Sequence, residues 1–289
     1  MGKTGLIVEG GGMKCAYSCG ILDRFLDEGI EFPYTIGVSA GTANLASYLA
    51  RQRGRSAKFY LEHIKAPDYF GYESYKKTKN AFNLDYIYRE LSNSDGRNPL
   101  DFDTLKNNPS EFVIVATEAN TGSPHYFTKD DLKQDDYSPI MASSCLPAIC
   151  RPIFIDNEPY YDGGISDPIP VQKAIDDGCD KLVILLSKPR DFIKKREKYR
   201  MVYSFLCREY PYTVSALNRR HIRYGACQTH AFTLEKHGKA FIFAPSDPPK
   251  MSTYNMDIEV ERKLYEMGLN DFDKYKNELK DFLYKNNPA

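Results

Sequence analysis

The sequence predicts an α/β fold of three layers, α/β/α, with helices on both faces of a mainly parallel central sheet and added helices at the C-terminal end. Three observations carry this. Short apolar strands alternate with helical stretches through most of the 289 residues. Most strands are separated by helices rather than by hairpin turns, as parallel pairing requires. One strand, Tyr34–Val38, stops at Ser39 and becomes a helix with no linker between. Residues 1–289 are expected to form one domain, because a chain of this length can bury a single large core.

The elements follow in order. Residues 5–8 form an apolar strand that runs into Glu9-Gly10-Gly11-Gly12-Met13-Lys14. A helix is expected over 13–28, with Ala16, Ile21, Leu22, Phe25 and Leu26 near one face and Gly29 placed to end it. Tyr34–Val38 is apolar and β-branched, and 40–53 is rich in Ala and Leu, which suits a strand and then a helix. Residues 65–83 are aromatic and basic without periodicity and read as a surface loop or lid. Residues 84–91 read as helical. Residues 112–117 form a buried strand, and a second strand over 125–128 follows a turn at Asn120-Thr121-Gly122. A helix of small residues is expected over 138–149. Ile153–Ile155 and the Tyr160-Tyr161 pair are short strands leading to Asp162-Gly163-Gly164. Pro168 opens a helix over 168–177, and 182–186 is another core strand. Residues 190–236 read as a helical segment, two long helices broken near Pro211. The last strand is 241–244. Residues 257–267 and 272–284 read as two closing helices, the second within a C-terminal stretch of 270–289.

Composition narrows the class. Apolar residues at 42% and charged residues at 27% fit a soluble globular chain. No run of about 18 apolar residues offers a membrane span. The first residues enter a strand without a secretory apolar region, so a cytoplasmic location is expected. The net charge of zero gives no reason to expect a nucleic-acid partner. The seven cysteines are odd in number, lie mostly in apolar periodic stretches and include no C-x-x-C pair of zinc spacing. That pattern favours free thiols in a reducing compartment over a disulfide framework or a metal site.

Three features combine into chemistry. Ser39 sits between Gly37 and Gly41 in a G-x-S-x-G pattern at a strand-to-helix junction. Such a junction is a nucleophile elbow, a sharp turn that lifts a serine hydroxyl clear of the sheet. Gly10, Gly11 and Gly12 follow the first strand and precede a helix, so their backbone N–H groups are free to hold an anion. Asp162 precedes Gly163 and Gly164 on a tight turn. Acyl transfer needs a nucleophile, a base and oxyanion donors, and Ser39, Asp162 and Gly10 to Gly12 can fill these roles in that order. An ordinary α/β-hydrolase places several strands before its serine and a histidine late in the chain. Here one strand–helix unit precedes Ser39. The late histidines His221, His230 and His237 lie in a polar, basic helical stretch with no catalytic signature.

These blocks resemble the patatin-like phospholipases, a family of lipid acyl hydrolases that use a Ser-Asp dyad. The resemblance covers Gly10 to Lys14, Gly37 to Gly41, the Ala142-Ser143-Ser144-Cys145-Leu146-Pro147-Ala148 stretch, Asp162-Gly163-Gly164 and Asp167-Pro168-Ile169-Pro170. It implies a patatin-like α/β domain with Ser39 as nucleophile, Asp162 as base, an oxyanion hole of Gly10, Gly11, Gly12 and Lys14, and Gly37, Gly41, Gly163 and Gly164 as motif glycines. It also implies lipid or other acyl-ester substrates and no cofactor or metal, in keeping with the lack of a calcium-loop pattern. One position departs from the family: Cys15 stands where Gly usually follows the basic residue. Two rival readings remain, a histidine-triad esterase and a non-catalytic lipid-binding protein.

Charge is uneven along the chain. Between Lys188 and Arg223 basic residues far outnumber the three acidic ones, Asp191, Glu197 and Glu209. Phe192, Tyr199, Tyr203 and Phe205 are interleaved with them. Peripheral binding to an anionic membrane is the functional expectation from this stretch, and a solvated helix face is the plain one.

Overall fold

A computed structural model describes residues 2–67 and 69–284, with Lys77 given by its backbone alone. Position 68 and Lys77 of the expected lid, and the last five residues of the expected 270–289 helix, therefore lie outside the described residues or side chains. In chain order the elements are β1 (Lys3–Val8), α1 (Ala16–Asp27), β2 (Tyr34–Val38), α2 (Ala40–Leu49), α3 (Arg55–Leu61), α4 (Tyr72–Thr78) and α5 (Phe102–Asn107). Next come β3 (Glu111–Glu118), β4 (Pro124–Thr128), α6 (Ser138–Ser143), β5 (Ile153–Ile155), β6 (Glu158–Asp162), α7 (Val171–Asp176) and β7 (Cys179–Leu185). The chain closes with α8 (Arg200–Leu206), α9 (Pro211–Lys236), β8 (Ala240–Phe243) and α10 (Ile258–Tyr284).

Five strands form a parallel centre in the order β3-β2-β1-β7-β8. Successive residues of β1 point to opposite faces, and each face carries its own core. Leu6 and Val8 pack with Tyr17, Phe25, Leu45 and Phe272 of α1, α2 and α10. Ile7 packs with Ile36, Val171, Tyr224 and Ala231, so α7 and α9 cover the other face. The three-layer α/β/α fold with a mainly parallel sheet is thus the fold of the chain.

The register around β3 positions the site. β2 pairs with residues 111–115 of β3 and β4 pairs with residues 113–117, so these two strands lie on opposite edges. β6 pairs antiparallel with residues 116–118, where β4 already occupies one edge. β6 therefore shares the β2 edge and continues it after β2 turns away at Ser39. Val38 lies opposite Val115, and Asp162 lies opposite the next residue, Ala116.

Several boundaries differ from the sequence reading. The closing segment is one continuous helix, α10, and Gly268 does not interrupt it. A Cβ at Gly268 would lie 2.1 Å from the Tyr17 carbonyl oxygen, and one at Gly20 would lie 2.2 Å from that of Tyr265. These two glycines let α1 and α10 touch backbone to backbone, so Gly268 serves packing rather than termination. The expected helix at 138–149 ends at Ser143, the one at 40–53 ends at Leu49 with α3 following it at Arg55, and 84–91 contains a π-helical turn at Tyr86–Leu91. The first helix of 190–236 shrinks to α8, because residues 191–199 are not helical. The 65–83 stretch carries α4 between anchored ends. Tyr69 is buried against Phe59 and Phe82, with ring centroids 5.5 and 5.0 Å away.

Candidate active site

The elbow forms because β2 delivers Ser39 into a conformation that most residues avoid. Ser39 has φ 54° and ψ −131°. Such backbone costs about 1–3 kcal/mol and persists only when its surroundings hold it. The Ser39 N–H donates to Ser143 Oγ at 2.8 Å, and its carbonyl accepts from Thr42 N at 2.9 Å. The flanking glycines are sterically required. A Cβ at Gly37 would lie 2.7 Å from Thr42 Cα, and one at Gly41 would lie 2.5 Å from the Val8 carbonyl oxygen.

Asp162 ends β6 beside the elbow. Its backbone is fixed by Asp162 N donating to the Cys145 carbonyl at 2.7 Å and by Thr117 Oγ1 donating to the Asp162 carbonyl at 2.8 Å. Its Oδ1 accepts the Gly164 N–H at 2.7 Å. Gly163 allows the turn, since a Cβ there would meet the Val115 carbonyl oxygen at 2.2 Å. Asp162 is 2% exposed. Burial pushes its pKa above the usual carboxylate value, while Arg220, the Ser39 hydroxyl, the Gly164 amide and Lys188 pull it back down. Arg220 is held in place by Nε donating to the Gly164 carbonyl at 2.7 Å.

The glycine loop closes over the same point. A Cβ at Gly10 would lie 2.8 Å from Ser39 Cβ, so the loop runs against the elbow. Among the described residues, the amides of Gly10, Gly11 and Gly12 donate to no protein acceptor. From beneath, Ser187 Oγ donates to the Gly10 carbonyl at 2.7 Å and Ser187 N to Glu9 Oε2 at 2.7 Å. The buried Glu9 carboxylate is also paired with Lys188 Nζ. The Lys188 ammonium stands 5.0 Å from the Tyr224 ring centroid and 5.6 Å from that of Phe192.

A cavity of about 630 Å³ opens from this point, a volume within the range that holds a small-molecule ligand. Ser39, Asp162 and Gly10 to Gly12 line it. Its walls are largely apolar and aromatic, with Phe59, Tyr60, Tyr69, Phe82, Tyr88 and Leu146 among them. None of the five histidines lines it. Among the described residues, no cluster of three or more His, Cys, Asp or Glu side chains is placed to hold a metal ion.

The family model described as patatin-like phospholipase matches residues 6–175, more than half of the chain. The chain belongs to the patatin-like phospholipase family. A second model, a domain of unknown function designated DUF6363, matches residues 210–284. Within this patatin-like chain that region is continuous with the rest, because β8 pairs with β7 and α10 packs on α1. The chain is 30% identical over 193 residues to the uncharacterised protein YjjU of Escherichia coli K12. The match covers 65% of this chain and 53% of YjjU, so the chain spans about half the length of that relative. The crystal structure of VipD from Legionella pneumophila superposes with a TM-score of 0.49 at 13% identity, covering 96% of this chain and 67% of that one.

For the patatin-like reading, the structure brings Ser39, Asp162, the three loop glycines and the four motif glycines together. It does not bring in Lys14, which sits half-buried on the turn Gly12–Cys15 and does not line the cavity. The cations that line it along with Ser39 and Asp162 are Arg55, Lys188, Lys194 and Arg220. Cys15, the departure from the family pattern, is fully buried and turns its thiol toward the Glu9 carbonyl, 3.5 Å away, so the loop amides stay open. Sequence reasoning missed Glu9 and Ser187 as site residues, named Ser143 only within the small-residue stretch, and took Lys188 and Arg220 only as part of a basic run. A carboxylate directly after the apolar Leu6-Ile7-Val8 run was the available signal for Glu9. The other partners are dozens to more than a hundred residues away and left no local sign.

Proposed function

We propose that the chain is a serine hydrolase that cleaves acyl esters of lipids, a phospholipase A or lipid acyl hydrolase, through a Ser39–Asp162 dyad. One observation carries the reading: Ser39 stands in a strained elbow in a cavity that contains a buried carboxylate beside it and no histidine. A carboxylate with the ordinary pKa of about 3.9 is a weak base toward a hydroxyl. Burial raises the proton affinity of Asp162, the change a general base needs.

In the first step Ser39 Oγ bonds to the ester carbonyl carbon and its proton passes to Asp162. The carbonyl oxygen becomes an oxyanion that the Gly11 and Gly12 amides receive, with Gly10 shaping the loop; one such donor is typically worth about 10²–10³ in rate. The carbon–oxygen bond to the leaving alcohol then breaks, and Asp162 returns the proton to that alcohol. Water attacks the acyl-serine with Asp162 again as base, releasing the carboxylic acid and restoring the serine hydroxyl. The apolar walls suit an acyl chain. Among the described residues no helix is long and apolar enough to cross a membrane, and the reading includes peripheral association with an anionic membrane as the route to substrate.

The test is labelling with a fluorophosphonate probe, joined to mass spectrometry of products from a mixed lipid extract. Wild type should label and release fatty acid, and Ser39→Ala should do neither. Failure of wild type to label, or equal labelling of Ser39→Ala, overturns the assignment.

A further inference from the structure

The outer face of α8 is largely exposed, with the Arg208 guanidinium 4.8 Å from the Phe205 ring centroid. Met201, Val202, Phe205 and Leu206 are 86, 54, 65 and 54% exposed. Their spacing places all four on one side of the helix. The opposite side is fastened down: Tyr203 is buried and donates to Asn218 Oδ1 of α9 at 2.8 Å, and Cys207 is buried. A contiguous exposed apolar ridge of this kind marks an interaction surface in a soluble protein. Two further facts identify what it meets.

The first is charge. In residues 193–209 the exposed ionic side chains are Lys195, Arg196, Lys198, Arg200 and Arg208 against Glu209. Three other cations of the basic stretch are paired with carboxylates: Lys188 with Glu9, Arg190 with Glu235 and Lys194 with Glu197. The second is position. Tyr199, Val202 and Leu206 are at once exposed and part of the lining of the cavity that holds Ser39. The ridge is therefore the rim of the cavity mouth. The sequence expectation of Phe192 and Tyr203 as inserting residues is corrected, since Phe192 packs edge-on against Tyr224 at 5.6 Å and Tyr203 is buried.

We infer that α8 is the element on which the protein docks to an anionic lipid surface, with Met201, Val202, Phe205 and Leu206 entering the interface and the flanking cations meeting the headgroups. Docking in this orientation sets the cavity mouth against the bilayer. An acyl chain then passes from lipid to cavity along Val202 and Leu206 without crossing water. The inference rests on the lipid acyl hydrolase reading, and its test separates the two.

The 289-residue chain is sedimented with vesicles of phosphatidylcholine alone and of phosphatidylcholine with phosphatidylglycerol. Two variants are compared with wild type, Met201→Asp/Phe205→Asp and Lys195→Glu/Lys198→Glu/Arg200→Glu; none of these residues lines the cavity. Wild type should bind the anionic vesicles and be released by about 0.5 M salt, where screening is nearly complete. Each variant should bind about tenfold or more weakly, while kcat/KM on a water-soluble nitrophenyl ester stays within about twofold. Equal binding by wild type and both variants overturns the inference. So does a wild-type dimer that Met201→Asp/Phe205→Asp makes monomeric with vesicle binding unchanged, since the ridge would then belong to a second copy. A wild type that binds vesicles through α8 but turns over no ester defeats the hydrolase reading and leaves the docking surface standing.

Discussion

Ser143 Oγ accepts the backbone N–H of Ser39 at 2.8 Å and donates its own proton to the Val115 carbonyl at 2.6 Å. With that proton committed, the Thr42 hydroxyl 3.1 Å away is the donor in its contact with Ser143. One buried hydroxyl thus ties the elbow to the strand whose next residue pairs with Asp162. Ser143→Ala leaves the Ser39 amide and the Val115 carbonyl without it. Urea denaturation should show a loss of about 1–3 kcal/mol. The proposed nucleophile is loosened without its cavity being altered, so kcat on a soluble ester should fall while KM changes little.

The acid side of the pH–rate profile should report Asp162. Burial raises its pKa and Arg220 opposes the rise. As pH falls through the folded-state value the carboxylate gains a proton and can no longer serve as the proposed base. The midpoint of kcat/KM should therefore lie above the roughly 3.9 of an unperturbed aspartate. Arg220→Gln removes the opposing charge and should move the midpoint to higher pH. A profile unmoved by Arg220→Gln would contradict this.

Glu9 and Lys188 should show the asymmetry of a buried pair. Lys188→Met removes the paired ammonium from a 1% exposed carboxylate under the glycine loop, to which Ser187 still donates, and stranding a buried charge costs about 3–5 kcal/mol. Glu9→Gln/Lys188→Met strands none and should recover most of that stability. Thermal melts of the two variants and wild type decide it.

Much of this was legible in the sequence and some was not, for a physical reason. The elbow, the glycine run and the Asp-Gly-Gly turn were readable because each is a local backbone conformation whose residues are adjacent in the chain. The strands were readable because burial on both faces makes them continuous apolar runs. The supports of the site were not, because Ser143 lies 104 residues from Ser39, and Lys188 179 residues from Glu9. Lys14 fitted a motif by position, but the chain direction after Gly12 takes it out of the cavity. The closing helices read at 257–267 and 272–284 are one helix, and Gly268 within it is glycine because of its contact with α1.

That glycine gives a further prediction. Gly268→Ala gains up to about 1 kcal/mol of helix propensity. Its methyl group would nevertheless stand 2.1 Å from the Tyr17 carbonyl oxygen. Overpacking should win, with a net loss of about 1–3 kcal/mol by urea denaturation. A stabilised variant would mean the α1–α10 crossing is looser than described.

Glu261 should make stability depend on pH. It is buried, its Oε2 has no hydrogen-bond partner among the described residues, and burial pushes its pKa from the ordinary 4.5 up to about 8. Between those values the folded chain binds more protons than the unfolded one, so stability falls as pH rises and the loss is complete above about pH 8. Glu261→Gln keeps the neutral shape and should flatten the decline. Melting temperatures of both proteins across that range test it, and parallel curves would refute it.

The central claim is that Asp162 is the base for Ser39. The most direct measurement is kcat/KM of Asp162→Asn on a soluble nitrophenyl ester, with circular dichroism confirming the fold and His221→Ala, His230→Ala and His237→Ala run beside it. The account predicts a loss of about three orders of magnitude or more for Asp162→Asn, close to that of Ser39→Ala, with most activity kept by each histidine variant. An Asp162→Asn enzyme within about tenfold of wild type, or a folded histidine variant that loses about three orders, would contradict the dyad and restore the triad.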